Sequence, residues 1–312
     1  MDLNTNPVLP PLHVGKGAQY GALTLFPVWA EGAAATGLEW NLDALDIGEQ
    51  RDGGRVDSLA AVNLGHKPIV LLEGDLLEGG WQTRMVARST ILGPRETSHI
   101  AALCVEKNRW QTNGGRGHRA AGRRVSAPLR TARDRAHRHD KDPQYAVWQE
   151  ISSRYETNAP TVTSSFADHL DRVARDCDQR TERPLPATPL AGQRGVIIGI
   201  GGRVLGMELL ASPTALTKRW SGILEAARFD AEHAPAAPTP GQQARDFAAK
   251  VERTHVEVDC EFPSFVTLAA DQGSLHLSGI ALPGSKGSID GDFWRIVHLA
   301  AHDQRHPLLA GV

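Results

Sequence analysis

The residues best suited to chemistry lie between Leu71 and Trp110, in the stretch LLEGDLLEGGWQTRMVARSTILGPRETSHIAALCVEKNRW. It packs Glu73, Asp75, Glu78, Gln82, Arg84, Glu96, Cys104, Glu106, Arg109, Trp81 and Trp110. If 100–106 is a strand, side chains alternate, and Ile100, Ala102, Cys104 and Glu106 share a face. That face is apolar until Glu106, so the carboxylate would sit at the rim of a core. Burial there raises proton affinity unless a cation pairs with it. Arg84 is the expected cation, and Glu73, ending the preceding strand, is expected to converge on the same rim. Two carboxylates in different environments could serve as acid and base in hydrolysing a glycosidic or phosphate linkage. The same residues also suit binding without turnover, with arginines on phosphate and Trp81 or Trp110 stacked on a base. A salt-bridge network that pins strand ends is the third reading. Cys104 reads as a small buried apolar residue rather than a nucleophile.

Other patterns are weaker. Gly199-Ile200-Gly201-Gly202-Arg203-Val204 begins like a dinucleotide fingerprint, but it ends in valine and lies in a hairpin. Gly279 to Lys286 approaches a phosphate-binding loop, with the lysine one place late. His298, His302 and His306 would share a helix face and could hold a metal. The segment reads better as a terminal strand with a tail, and His137 and His139 read as part of a solvated face. No metal site and no cofactor is assigned.

Short strands must position the 71–110 stretch. GALTLFPVW, VDSLAAVN, KPIVLLEGD, RMVARSTIL and SHIAALCVE read as strands divided by Gly/Pro turns. Helical spacing follows at 126–139, 143–157 and 165–178. GVIIGI-GG-RVLGMEL is a hairpin signal. Ser212-Pro213 caps and starts a further helix, and Thr239-Pro240 is read as another such start. Strands are expected at 255–260, 264–270, 274–281 and 292–300. The order predicts an α+β fold, an antiparallel sheet or sandwich core with inserted helices.

Composition bounds the rest. The chain has 312 residues, 34 Lys+Arg, 36 Asp+Glu and three cysteines. It is long enough for a large core without disulfide or metal staples. Cys104, Cys177 and Cys260 are odd in number and far apart, which fits free thiols in a reducing cytoplasm. No apolar run reaches membrane-spanning length, and the first residues lack a basic signal-peptide region. The net charge of −2 hides a local excess. Residues 107–141 hold eleven cations and two acids, a net of +9, leaving −11 for the remainder. Such a segment could attract a phosphorylated ligand or nucleic acid, or neutralise acids of the same chain.

LLEGDLLEGGWQTR followed by CVEKNRW resembles the core of the ARG and Rhodanese-Phosphatase-superfamily-associated protein domain. Leu129-Arg130, Gln144, Trp148 and GVIIGIGGRVLGMELLASPTAL extend the resemblance. It covers about residues 18–300 as one family domain. Within it lie a β-rich part (18–106), a basic helical part (107–182) and a mixed part (192–300), with extensions 1–17 and 301–312. The resemblance implies an association with ADP-ribosylglycohydrolases and rhodanese-like phosphatases, hence at most an ADP-ribose or nucleotide context; a partner enzyme is expected in the alternative where the domain is a non-catalytic sensor or scaffold module. Its polar signature falls on Glu73, Gly80, Gln82, Arg84, Cys104, Glu106, Arg109 and Trp110. Thr83 and Lys107-Asn108 depart from the family's pattern, which bears on specificity if those positions touch ligand. Glu73 and Glu106 are thus the candidate catalytic residues. Gly80, Gln82, Arg84, Arg109, Trp110 and Arg130 are the candidate ligand-binding residues.

Overall fold

The computed structural model describes residues 9–50, 54–110, 115, 117–157, 159–178, 183–283 and 295–310. The chain forms two compact units. One comprises Met1–Thr36, Glu182–Trp220 and Ala231–Ala310; the other comprises Gly37–Thr181, Ser221–Asp230 and Gly311–Val312.

The chain enters the first unit through β1 (Leu12–Val14), β2 (Ala18–Tyr20) and β3 (Leu23–Ala30). It then builds the second unit from β4 (Leu45–Gly48), β5 (Ser58–Asn63), β6 (Ile69–Leu71) and β7 (Asp75–Gly79). β8 (Arg84–Val86), β9 (Thr90–Leu92), β10 (Thr97–Cys104) and β11 (Gly117–Arg124) follow. Strands β10-β5-β4-β11-β7-β8 close into a six-stranded barrel, while β6 and β9 pair separately. Alternation sorts the side chains. Ile47, Leu59, Leu77, Val86, Ile100 and Ala102 form one cluster. Leu76, Met85, Leu103 and Val105, of opposite parity, pack with residues of the helices.

Those helices are α1 (Ala127–Arg138), α2 (Pro143–Ile151) and α3 (Phe166–Asp178). Their starts are locally encoded. Ser126 Oγ accepts from Leu129 N at 3.5 Å and Asp142 Oδ1 from Gln144 N at 2.9 Å, each with a proline in the first turn. Leu129, Val147, Ile151, Phe166, Leu170 and Val173 supply the apolar stripes.

The chain returns to the first unit through β12 (Gly195–Ile200) and β13 (Arg203–Leu210). Gly201 and Gly202 have φ of 59° and 86°, the left-handed pair that a two-residue hairpin turn requires. α4 (Pro213–Asp230) is capped by Ser212 Oγ, which accepts from Ala215 N at 3.1 Å, and its end belongs to the second unit. α5 (Gly241–Glu252), β14 (Glu257–Glu261), β15 (Val266–Gln272), β16 (Leu275–Leu282) and β17 (Arg295–Asp303) complete the unit. The nine-stranded sheet runs β1-β3-β12-β13-β17-β16-β15-β14, with β2 also on β3. Ala244, Phe247, Ala248 and Val251 of α5 pack against Phe26, Ile197, Met207 and Leu299 of that sheet. The α+β class with antiparallel sheets and inserted helices is therefore observed; barrel closure is the feature the strand pattern did not show.

Several elements differ from the sequence expectations. KPIVLLEGD breaks between β6 and β7, where Leu72 N donates to Asp75 Oδ2 at 2.8 Å and Gly74 takes φ 82°. RMVARSTIL divides into β8, in the barrel, and β9, on β6. Beyond Ile151 the third turn of 143–157 widens into a π-helix, Ser152–Glu156. Thr239 does not cap α5; Pro240 holds that position, and Thr239 is buried, its N donating to Thr24 Oγ1 at 3.0 Å. Gly279 to Leu282 belong to β16, while residues 284–286 of the phosphate-loop approximation lie outside the described residues. His298 and His302 lie on β17, and His306 caps a short 3-10 turn, Pro307–Leu309. On a strand, four residues span roughly 13 Å, too far for His298 and His302 to share one metal.

Candidate functional site

Glu106 lies just beyond β10, bridged to Ser165. Its partner is Arg109, not Arg84. Arg109 Nε donates to Oε1 and Nη2 to Oε2, both at 2.7 Å. Thr83 N adds a bond to Oε2 at 2.9 Å and Thr163 Oγ1 one to Oε1 at 2.7 Å. Burial alone would raise the carboxyl's pKa, but these donors outweigh it and hold Glu106 below the usual range. Arg109 is spent on the same contacts, donating also to Gly80 O at 2.9 Å and Gly79 O at 3.2 Å. Pairing with Glu106 pushes its own pKa up. Glu106 thus has the cation that keeps its proton affinity down, but it comes from three residues along the chain and not from Arg84.

Arg84 turns into the barrel with the parity of Val86, and its side chain is fully buried. Nη1 donates to Gln82 Oε1 at 3.0 Å and to Val56 O at 3.3 Å. Nη2 reaches Arg55 O at 3.4 Å and Glu49 Oε1 at 3.5 Å. Glu49 Oε1 also faces His118 Nε2 at 3.3 Å and Trp81 N at 3.3 Å. Glu49 and His118 side chains are likewise fully enclosed. Glu49 Oε2 is buried without a hydrogen-bond partner among the described residues, as is Arg84 Nε. Burial pushes the His118 pKa down, against opposing bonds to Leu77 O and Glu49. A neutral ring can donate from only one nitrogen, while Nδ1 faces Leu77 O at 3.3 Å and Nε2 faces Glu49. Leu77 O and Glu49 Oε1 therefore compete for the one N–H of the ring, beside Arg84.

Gly80 is required at this end of the barrel for two reasons. Its φ is 53°, and a Cβ there would stand 2.1 Å from His118 Nε2. Gln82 joins the two clusters, with Nε2 donating to Glu106 O at 3.2 Å and Oε1 accepting from Arg84. Trp81 and Trp110 meet edge to face at 5.5 Å, and the Arg84 guanidinium carbon lies 5.6 Å from the centre of the Trp110 ring. Trp110 remains 47% exposed, an unusual position for so large a ring above a buried cation.

Gly80, Gln82, Arg84, Glu106, Arg109 and Trp110 are therefore brought together. Glu73 and Arg130 are not part of this group. Register pairs Leu77 with Arg84 and Cys104 with Arg84, which continues to Glu106 across from Gln82 and leaves Glu73 beyond the opposite end of β7 and β8. The separation is about five residues of strand, on the order of 15 Å. There the Glu73 carboxylate meets Arg133 Nη1 at 3.2 Å, and its carbonyl accepts from Arg124 Nη2 at 2.9 Å. The Arg130 stem packs over Gly74 nearby. The convergence expected for Glu73 and Glu106 fails because β6 ends before Glu73 and a turn intervenes. Cys104 is a core residue whose thiol burial pushes up, and both of its backbone polar groups are held by Gln144, at 2.8 and 2.9 Å.

Glu49 and His118 are the site residues that sequence reasoning missed. His118 is buried between exposed Gly117 and Arg119, an alternation that only the formed β11 reveals. Nothing in the spacing of positions 49, 84 and 118 links them.

Part of the positive segment is engaged with acids of the same chain. Arg123 reaches Glu78 at 2.9 Å, Asp171 at 2.8 Å and Glu225 at 2.9 Å. Arg124 faces Asp75 at 3.7 Å, and Arg133 contacts Glu73 and Asp134. His137, Arg138, His139 and Lys141 are exposed, and Arg116 lies outside the described residues. Among the described residues no group of three or more His, Cys, Asp or Glu is arranged to hold a metal. No helix among them is long and apolar enough to cross a membrane.

The fold and site thus define an α+β protein whose closed barrel carries an enclosed Glu-Arg-His cluster beneath an exposed tryptophan. The chain belongs to the ARG and Rhodanese-Phosphatase-superfamily-associated Protein domain family, whose model matches residues 11–302. Searches of the curated proteins and of the solved structures found no match.

Proposed function

We propose that the Trp110 end of the barrel binds a nucleotide-like ligand without turning it over. The observation that carries this reading is the half-exposed Trp110 ring above the enclosed Glu49–Arg84–His118 cluster. A base stacks on Trp110, a contact worth about 1–3 kcal/mol per base in proteins that bind single strands. Phosphates meet exposed cations: Arg55, whose carbonyl accepts from Arg84, and Lys107, three residues before Trp110. Glu49 Oε2, which has no hydrogen-bond partner among the described residues, is an acceptor for a ligand hydroxyl or amine. The family resemblance makes ADP-ribose the first probe and a nucleotide-sensing module for a partner enzyme the working role.

Binding is favoured over turnover because Glu106 is ionised and saturated, and Glu73 stands at the other end of β7. A hydrolytic reading rests instead on His118, whose Nε2 lies 3.3 Å from Glu49 Oε1. The nucleic-acid reading is weakened because Arg109, Arg123, Arg124 and Arg133 are committed to carboxylates.

Titration calorimetry with ADP-ribose, NAD and AMP tests the reading, with chromatography of each mixture for products. Saturable binding that Trp110→Ala abolishes, with no product, supports it. Equal binding by the variant, or no binding of any nucleotide, sinks it. Product formation lost in Glu49→Gln moves the assignment to an enzyme.

A further inference from the structure

The first unit holds a cavity of about 460 Å3 lined by Arg203, Val204, Gln243, Asp246, Phe247, Lys250, Asp303, Arg305 and His306. The volume falls within the roughly 300–1,000 Å3 usual for small-molecule sites. Helix α5 supplies one wall. Gln243, Asp246, Phe247 and Lys250 follow the i, i+3, i+4, i+7 spacing of a single face, about 10 Å long. The start of β13, the end of β17 and the residues after it supply the other wall.

The polar groups divide into spent and available ones. Asp303 accepts from Arg305 Nε at 3.2 Å and Nη2 at 3.0 Å, so these charges satisfy each other. His306 donates from Nε2 to Ile200 O at 3.1 Å and accepts at Nδ1 from Leu308 N at 3.2 Å, leaving neither nitrogen for a ligand. Asp246 accepts from Gln242 at 2.8 Å. Lys250 gives one of its three protons to Ser274 Oγ at 2.9 Å. The side chains of Arg203 and Gln243 have no hydrogen-bond partner among the described residues. Phe247 and Val204 give the cavity an apolar surface.

We propose that this cavity binds a small anion bearing an apolar ring, its carboxylate or phosphate held by Arg203 and Lys250 and its ring against Phe247. Arg203 presents a planar fork of donors suited to either group, and Lys250 adds a point charge. Gln243 donates to the same anion.

The test uses phenyl phosphate and benzoate as probes, with benzamidine as a cation of matching shape, in wild type and in Trp110→Ala. The second protein removes any contribution from the barrel end. Saturable binding of either anion in both proteins, at least tenfold weaker in Arg203→Gln, is the expected result. The tighter of the two anions identifies the head group. Lys250→Gln should weaken binding as well, and the unfolding midpoint of Arg203→Gln should match wild type. No saturable anion binding, equal affinity in Arg203→Gln, or benzamidine binding as tightly as the anions overturns the proposal.

Discussion

Two enclosed carboxylates stand at the same end of the barrel, and they differ in how they are satisfied. Glu106 receives four bonds of 2.7 to 2.9 Å, spread over both oxygens. Glu49 receives three contacts of 3.3 to 3.5 Å on one oxygen, and its second oxygen has no hydrogen-bond partner among the described residues. A saturated carboxylate is fixed in charge and position and serves as a brace. A carboxylate with a spare buried lone pair carries a desolvation cost that a ligand can relieve. The less obvious of the two is the one the proposed site uses.

The largest effect should come from breaking the brace. Glu106→Gln leaves Arg109 without its counter-charge and should cost about 3 kcal/mol in urea unfolding. If the variant unfolds at the wild-type midpoint, Glu106 is not a brace and the contrast collapses. Gly80→Ala should cost about 2 kcal/mol, since it strains a left-handed residue and drives a methyl into the His118 ring. Its imidazole resonances should shift, whereas those of His169, elsewhere in the same unit, should not. Unmoved His118 resonances would contradict the packing described for Gly80.

Trp110→Ala should lower nucleotide affinity about tenfold or more, near 1.4 kcal/mol, while changing stability by less. Isothermal titration beside thermal unfolding separates the two quantities, and a variant that loses stability but keeps affinity would reassign the ring to packing. The smallest effect is in pH. His118 has a folded pKa below its unfolded value, so the unfolded chain binds the proton first. Its contribution is fully present above about pH 6.5 and is lost as pH falls through the folded value. Glu106 also has a lowered pKa, but its contribution is lost only below about pH 4.5. His118→Gln should flatten the upper part of the stability profile and leave the acid limb intact. An unchanged slope between pH 7 and 5.5 would remove His118 from the enclosed cluster.

The local elements were legible because their causes are local. Ser126, Asp142 and Ser212 cap helices a few residues away, and Gly201-Gly202 sets a two-residue turn by its own backbone freedom. The Trp81–Trp110 stretch was also visible as a concentration of polar and aromatic types. Its pairing was not. Arg84 and Glu106 sit near strand ends, and which cation meets which acid depends on barrel register and on the turn that follows β10. The register places Arg84 inward with Glu49, while the chain after Glu106 bends back to deliver Arg109. Glu73 failed as a partner for the same kind of reason, a break between β6 and β7 that alternation alone does not announce.

The sequence by itself determined the α+β class, the hairpin, the capped helices and a basic segment set against an acidic remainder. Only the tertiary structure decided that part of this segment neutralises acids of its own unit, through pairs such as Arg123 with Glu225 and Arg133 with Glu73. It alone assembled Glu49, Arg84 and His118 from three separated strand ends. The physical reason is range. Caps and turns are set by neighbours along the chain, whereas an ion pair is set by whatever strand closure brings within about 4 Å, however distant in sequence.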